Sequence, residues 1–133
     1  MLNALWIFAG GGLGTLARWG TSGFIANRFG QTFPWGTLAV NVTGSFIIGL
    51  FATLTGTEGR FLAKAHGFLQ FFMLGVCGGY TTFSSFSLQT LNLAEDGEWF
   101  RAGANAVLSF VLCLVAVWLG HVLALAINTT KGN

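Results

Sequence analysis

The sequence predicts an all-α membrane protein: a single transmembrane domain over residues 1–133 with four transmembrane helices, the third broken between Gly78 and Thr81, paired as an antiparallel, dual-topology homodimer. Three observations carry this. Only 8% of residues are charged while 53% are hydrophobic, against about 25% charged in a soluble domain. Four long stretches are almost free of charge, and a bilayer core takes about 20 apolar residues per helix. The few basic residues are shared almost evenly between the two sets of loops.

The first span covers about residues 3–25 and contains Arg18. No Lys or Arg precedes its apolar run, so it reads as a retained span rather than a signal peptide. Gly10 and Gly14 stand four apart, a spacing that lets another helix approach closely. The surrounding Gly-rich run faintly echoes a dinucleotide-binding fingerprint, but no strand precedes it. Pro34 is the only proline and opens the second span, 35–55, where a missing N–H matters least. The third span, 67–94, is too long for one upright crossing and leaves room for a break. The fourth covers 102–127. Trp35 and Trp99 sit at span boundaries and suit interfacial anchoring.

Orientation follows from the basic residues. Arg60, Lys64 and Lys131 fall on one side, Arg28 and Arg101 on the other. The positive-inside rule needs an excess on one side to fix topology, so copies are expected to insert both ways up. A two-fold antiparallel dimer follows, using the same patch on both copies. A weakly biased single topology is the alternative. A net charge of +2 is too slight to suggest nucleic acid.

Within the spans, chemistry-bearing groups are few. None of the four acidic residues, Glu58, Glu95, Asp96 and Glu98, lies inside a span. Proton-coupled transporters usually carry an embedded ionisable group, and His121 is the only candidate well inside one. No nucleophile–base pair is visible, so an enzyme is not expected. Cys77 and Cys113 lack any zinc-type spacing and read as small packing residues. Arg18 either snorkels to water or raises the potential beside an anion path. Asn41 shares a helix face with Thr37 and Gly44; its amide serves a helix–helix hydrogen bond or a pore. Asn105, Ser109 and Cys113 recur every four residues, a thin polar stripe that is either packing glue or a track for an ion.

The densest cluster is Gly78-Gly79-Tyr80-Thr81-Thr82-Phe83-Ser84-Ser85-Phe86-Ser87. Two adjacent glycines weaken a helix by about 1 kcal/mol each relative to Ala, so the break is expected at Gly78-Gly79. Such a break frees carbonyls that suit a cation and N–H groups that suit an anion. Thr81, Thr82 and Ser84 are candidate caps for the second half. Phe83 and Phe86 share a face, and their electropositive ring edges suit a small anion.

These motifs, with Gly11-Gly12-Leu13-Gly14, Arg18, Gly36-Thr37-Leu38 and Val40-Asn41, resemble the small bacterial fluoride channels of the Fluc or CrcB family. The resemblance covers essentially the whole chain. It implies a fluoride-selective channel in the inner cell membrane, multi-pass, with two parallel pores in an antiparallel homodimer, giving passive export that relieves fluoride toxicity. It implies one structural sodium ion at the dimer centre, held by the backbone carbonyls of Gly78 and Thr81 from both copies. An undisturbed helix through Gly78 would count against that ion. It also implies a fluoride path along Asn41, Phe83, Phe86, Ser84, Asn105, Ser109, Cys113 and Arg18. Tyr80 stands where an aliphatic residue is usual, Ser85 where Thr is commoner, and Cys113 where a hydroxyl is commoner. The competing expectation is a small four-helix proton-coupled exporter.

Overall fold

The computed structural model describes residues 2–56 and 66–130, with side chains at 3–56 and 68–129. Glu58, Arg60, Lys64 and Lys131, which enter the charge reading, and the His66 side chain lie outside the described residues. Five helical elements follow in order: α1 (Leu2–Phe29), α2 (Trp35–Leu54), α3 (residues 66–80), α4 (Phe83–Glu95) and α5 (Trp99–Thr130). Among the described residues there is no strand.

The helix ends have local causes. α1 runs a turn beyond the expected residue 25 because nothing stops it before Gly30. There the backbone turns left-handed (φ 85°), and the Gly30 N–H reaches the Ala26 carbonyl at 2.9 Å. Arg28 in the last turn suits the negative end of the helix dipole. α4 ends in a Schellman turn built on Gly97 (φ 79°): Glu98 N–H bonds Leu93 O at 2.8 Å and Gly97 N–H bonds Ala94 O at 3.1 Å. This tight reversal lets α5 begin at Trp99, three residues before the expected start.

α3 is not a plain α-helix. After one turn it widens to π-helix over Gln70–Cys77, then closes again for Gly78–Tyr80. Gly78 N–H accordingly bonds Met73 O, five residues back. π-helical segments are rare and concentrate at functional sites.

Glycines set the packing. A Cβ on Gly10 would strike the Phe71 carbonyl, and one on Gly14 the Val76 carbonyl; Gly79 likewise lies against the Gly11 carbonyl, 2.5 Å from where its Cβ would stand. The expected close crossing through Gly10 and Gly14 is therefore the α1–α3 contact. On α5, Gly120 meets the Phe46 carbonyl of α2, and Gly49 of α2 meets the Val117 carbonyl. α2 touches every other helix; α3 rides on α1, whereas α4 docks on α5. The break thus passes the chain from a helix packed on α1 to one packed on α5.

The buried residues are mostly small: Val40, Cys77, Ala102, Ala116 and Ala124. The large apolar side chains, among them Phe8, Trp19, Phe100 and Trp118, face outward. Such an exterior requires an apolar surrounding. α2 and α5 are each long and apolar enough to cross a bilayer.

Candidate functional site

The break falls at Thr81-Thr82, three residues later than the glycine pair suggests. Gly78 is helical (φ −65°, ψ −37°), whereas Thr81 (φ −79°, ψ 157°) and Thr82 (φ −153°, ψ 110°) are extended. The glycine pair is used for close approach: Gly79 lets α1 lie against α3, and a helix tolerates that use. Helical bonding stops because the Thr82 N–H leaves the ladder. Instead of the Gly78 carbonyl it bonds Asn41 Oδ1 at 2.7 Å. Asn41 Nδ2 in turn donates to the Thr82 carbonyl at 2.9 Å. One side-chain amide of α2 thus stands in for a peptide unit and holds the extended residue on both sides.

The new helix is capped as the sequence suggests. Thr82 Oγ1 accepts the Ser85 N–H at 3.2 Å and bonds Ser85 Oγ at 3.0 Å. Ser84 Oγ lies 3.3 Å from the same hydroxyl. On the α3 side, Thr81 N–H and Thr81 Oγ1 both reach the Cys77 carbonyl at 3.0 Å. The Thr81 carbonyl receives Arg18 Nη1 at 3.4 Å. Tyr80 anchors the same corner. Thr43 Oγ1 donates to the Ala39 and Val40 carbonyls at 2.7 and 3.2 Å, so its contact at 3.1 Å with the Tyr80 hydroxyl is donated by Tyr80.

Two concavities flank the break. The first, about 540 Å³, is lined by Asn41, Gly44, Ser45 and Ile48 of α2, Cys77, Thr81, Thr82, Phe83 and Phe86 around the break, and Ala106, Ser109, Phe110, Cys113 and Leu114 of α5. It brings together five of the eight residues of the expected fluoride path: Asn41, Phe83, Phe86, Ser109 and Cys113. Phe83 and Phe86 sit with ring centroids 5.3 Å apart, tilted by 52°; Phe83 is largely exposed and Phe86 partly covered. Ser84 and Asn105 do not line this groove. Ser84 is exposed. Asn105 is buried, donating to Thr90 Oγ1 at 2.8 Å and lying 3.5 Å from Ser109 Oγ. The upper rung of the α5 stripe therefore joins α5 to α4.

The second concavity, about 620 Å³, is polar and holds Arg18 with Thr15, Trp19, Ser22, Gln31, Trp35, Thr37, Thr82, Ser85, Gln89, Asn92 and Asp96 among its walls. Thr82 lines both spaces, so the extended break is the partition between them. Sequence reading missed this second space, although a signal existed. Thr82, Ser85, Gln89, Asn92 and Asp96 recur at spacings of three and four, one continuous polar face of α4. Gln89 Oε1 is buried there with no hydrogen-bond partner.

His121 Nδ1 pairs with Thr53 Oγ1 at 2.8 Å. Among the described residues no group of three or more His, Cys, Asp or Glu could hold a metal ion. The Gly78 carbonyl is released from helical bonding by the departure of Thr82 N–H, and the Thr81 carbonyl carries one long bond from Arg18. Hard cations take such oxygen ligands, so the two carbonyls are of the donor type that the resemblance assigns to a sodium ion, while the helix continues through Gly78 to Tyr80, contrary to the expected break at that residue.

A charge-poor helical bundle with an apolar exterior, a helix broken against a part-buried amide, and a polar and a largely apolar concavity on the two sides of the break is a helical membrane protein. Its sequence matches the family described as CrcB-like protein, Camphor Resistance (CrcB), over residues 5–121. It is 63% identical to a protein of Opitutus terrae over 97% of both chains. It is 58% identical to one of Methylocella silvestris, covering 98% of this chain and 99% of the other, and 60% identical to one of Rhodospirillum rubrum, covering 96% and 98%. All three relatives bear the name Fluoride-specific ion channel FluC. This chain belongs to the CrcB family.

Proposed function

We propose that the protein is a fluoride-specific ion channel, not an enzyme, through which cytoplasmic fluoride leaves passively so that its toxicity falls. The observation that carries this reading is full-length identity of 63% with a relative so named, over 97% of each chain. The groove supports it chemically. Anions are stabilised by hydrogen-bond donors and by the positive edges of aromatic rings. The Asn41 amide has two donor hydrogens, one of which holds Thr82; the second is left for a passing ion. Ser109 and Cys113 add short donors along α5, and Phe83 and Phe86 add ring edges beside them. Arg18 gives the second concavity a positive wall, a suitable antechamber for an anion.

The working unit is an antiparallel, dual-topology homodimer in the inner cell membrane. Each chain crosses the bilayer four times, with α3 and α4 sharing the third crossing. The outward-facing apolar side chains then meet lipid or the second copy. When bound, a sodium ion between two copies would neutralise the carbonyl ends of the broken helices. Gly78 and Thr81 of each copy are the residues that would hold it.

A proton-coupled exporter is disfavoured by the position of the acids. Glu95, Asp96 and Glu98 cluster at the α4–α5 turn; Asp96 reaches the wall of the second concavity, and none of the three lines the groove. Purified protein in liposomes tests the choice. Fluoride should leave down its own gradient with inside and outside pH equal, and efflux that requires a proton gradient would reverse the assignment.

A further inference from the structure

A chain of hydrogen bonds runs behind the groove and ends in its wall. Thr90 of α4 gives its hydroxyl hydrogen to the Phe86 carbonyl, one turn earlier, at 2.8 Å. A hydroxyl has a single hydrogen to give, so Thr90 Oγ1 accepts at its other contact, where Asn105 Nδ2 of α5 donates to it at 2.8 Å. That fixes which way round the Asn105 amide lies. Its NH2 faces α4, and its Oδ1 is left for Ser109, whose Oγ donates to it at 3.5 Å. The two links are unequal. The first has ordinary length, whereas the second is longer than the usual range of about 2.5–3.0 Å for a hydroxyl donor. Asn105 is 1% exposed, and neither it nor Thr90 lines the groove, but Ser109 does.

We propose that Thr90 is a positioning residue for the anion path: by holding the Asn105 amide in one orientation, it gives the Ser109 hydroxyl a weak resting acceptor behind the groove wall. At rest the Ser109 hydrogen points away from the groove. An arriving anion draws the hydroxyl round to itself, and Asn105 Oδ1 takes it back when the ion moves on. A weak competing acceptor costs the ion little on entry and favours its release. Thr90 touches neither the ion nor the groove and acts only through Asn105. This deepens the fluoride-channel reading, and its consequence for flux rests on that reading.

The Thr90–Asn105 pair is tested without flux. Thermal unfolding in detergent is compared for Thr90→Val, Asn105→Leu and the double variant. Losses should not add, because the double variant removes both partners and leaves no buried polar group unpaired. Additive losses would overturn the pairing. If Thr90→Val fails to fold, the double variant should fold, and its failure as well would overturn the pairing. Flux then tests the positioning role in liposomes. In Thr90→Val, or in the double variant where the single one does not fold, Ser109 loses its resting acceptor. The fluoride concentration giving half-maximal efflux should therefore fall by about threefold or more, the scale of one weak hydrogen bond. Thr90→Ser, which keeps the hydroxyl, should stay at the wild-type value. In a Ser109→Ala background the fall should vanish. An unchanged or raised value, or the same fall without the Ser109 hydroxyl, would overturn the positioning role. Absent efflux from wild-type liposomes would count against the channel reading, and the unfolding comparison would still decide the pair.

Discussion

Asn41 and Thr82 are joined by two hydrogen bonds, Thr82 N–H to Oδ1 at 2.7 Å and Nδ2 to the Thr82 carbonyl at 2.9 Å. This pair decides where helical bonding stops between α3 and α4, because it gives an extended residue the bonding that a helix would otherwise supply. A broken helix inside a membrane must find such partners in protein or water. Asn41→Ala should strand both Thr82 groups and cost about 1–3 kcal/mol, read as an earlier thermal transition in detergent. Asn41→Asp should abolish fluoride flux, since it replaces the donor facing the Thr82 carbonyl by an oxygen and places negative charge in an anion groove. Wild-type flux and melting in Asn41→Asp would show that the pair has neither role.

Phe83 and Phe86 form one aromatic patch on the groove wall, with 5.3 Å between centroids. Replacing both by Ile keeps the wall apolar but removes the ring edges. Flux should fall to background while size-exclusion chromatography shows an unchanged oligomer. Undiminished flux would leave the rings with a packing role only.

Two glycines two positions apart, Gly12 and Gly14, separate close approach from composition. A Cβ on Gly14 would strike the Val76 carbonyl, whereas one on Gly12 has nothing within 4 Å. Gly14→Ala should cut the yield of folded protein severely, because two helix backbones would have to part. Gly12→Ala should express normally. Equal behaviour of the two variants would contradict the α1–α3 crossing.

Tyr80→Phe removes the hydroxyl that donates to Thr43. The expected loss is about 0.5–1.5 kcal/mol of stability, seen as a lower melting temperature that Thr43→Val should not deepen further. Additive losses in the double variant would mean that the two hydroxyls do not act as a pair.

Much of this was legible in local pattern. The all-helical character, the helical face shared by Phe83 and Phe86, the Thr82 cap and the close packing of Gly10 and Gly14 all follow from spacing and residue type. The position of the break did not, because it depends on Asn41, 41 residues away in sequence. Propensity pointed to Gly78-Gly79, but those residues serve the neighbouring helix instead. The π-helical stretch at Gln70–Cys77 carries no composition signal of its own. The α5 stripe was legible as a stripe, yet only its lower rungs, Ser109 and Cys113, reach the groove. Asn105 finds Thr90 first, a pairing that spacing along a single helix cannot reveal. The polar face of α4 is legible at spacings of three and four, from Thr82 through Ser85, Gln89 and Asn92 to Asp96.

The central claim is selective passive passage of fluoride, and one measurement meets it directly. Liposomes holding the purified protein are loaded with fluoride or with chloride, and efflux is followed with ion-selective electrodes at equal pH on both sides. Fluoride should leave rapidly and chloride should stay. Retention of fluoride, or equal loss of the two anions, would contradict the account.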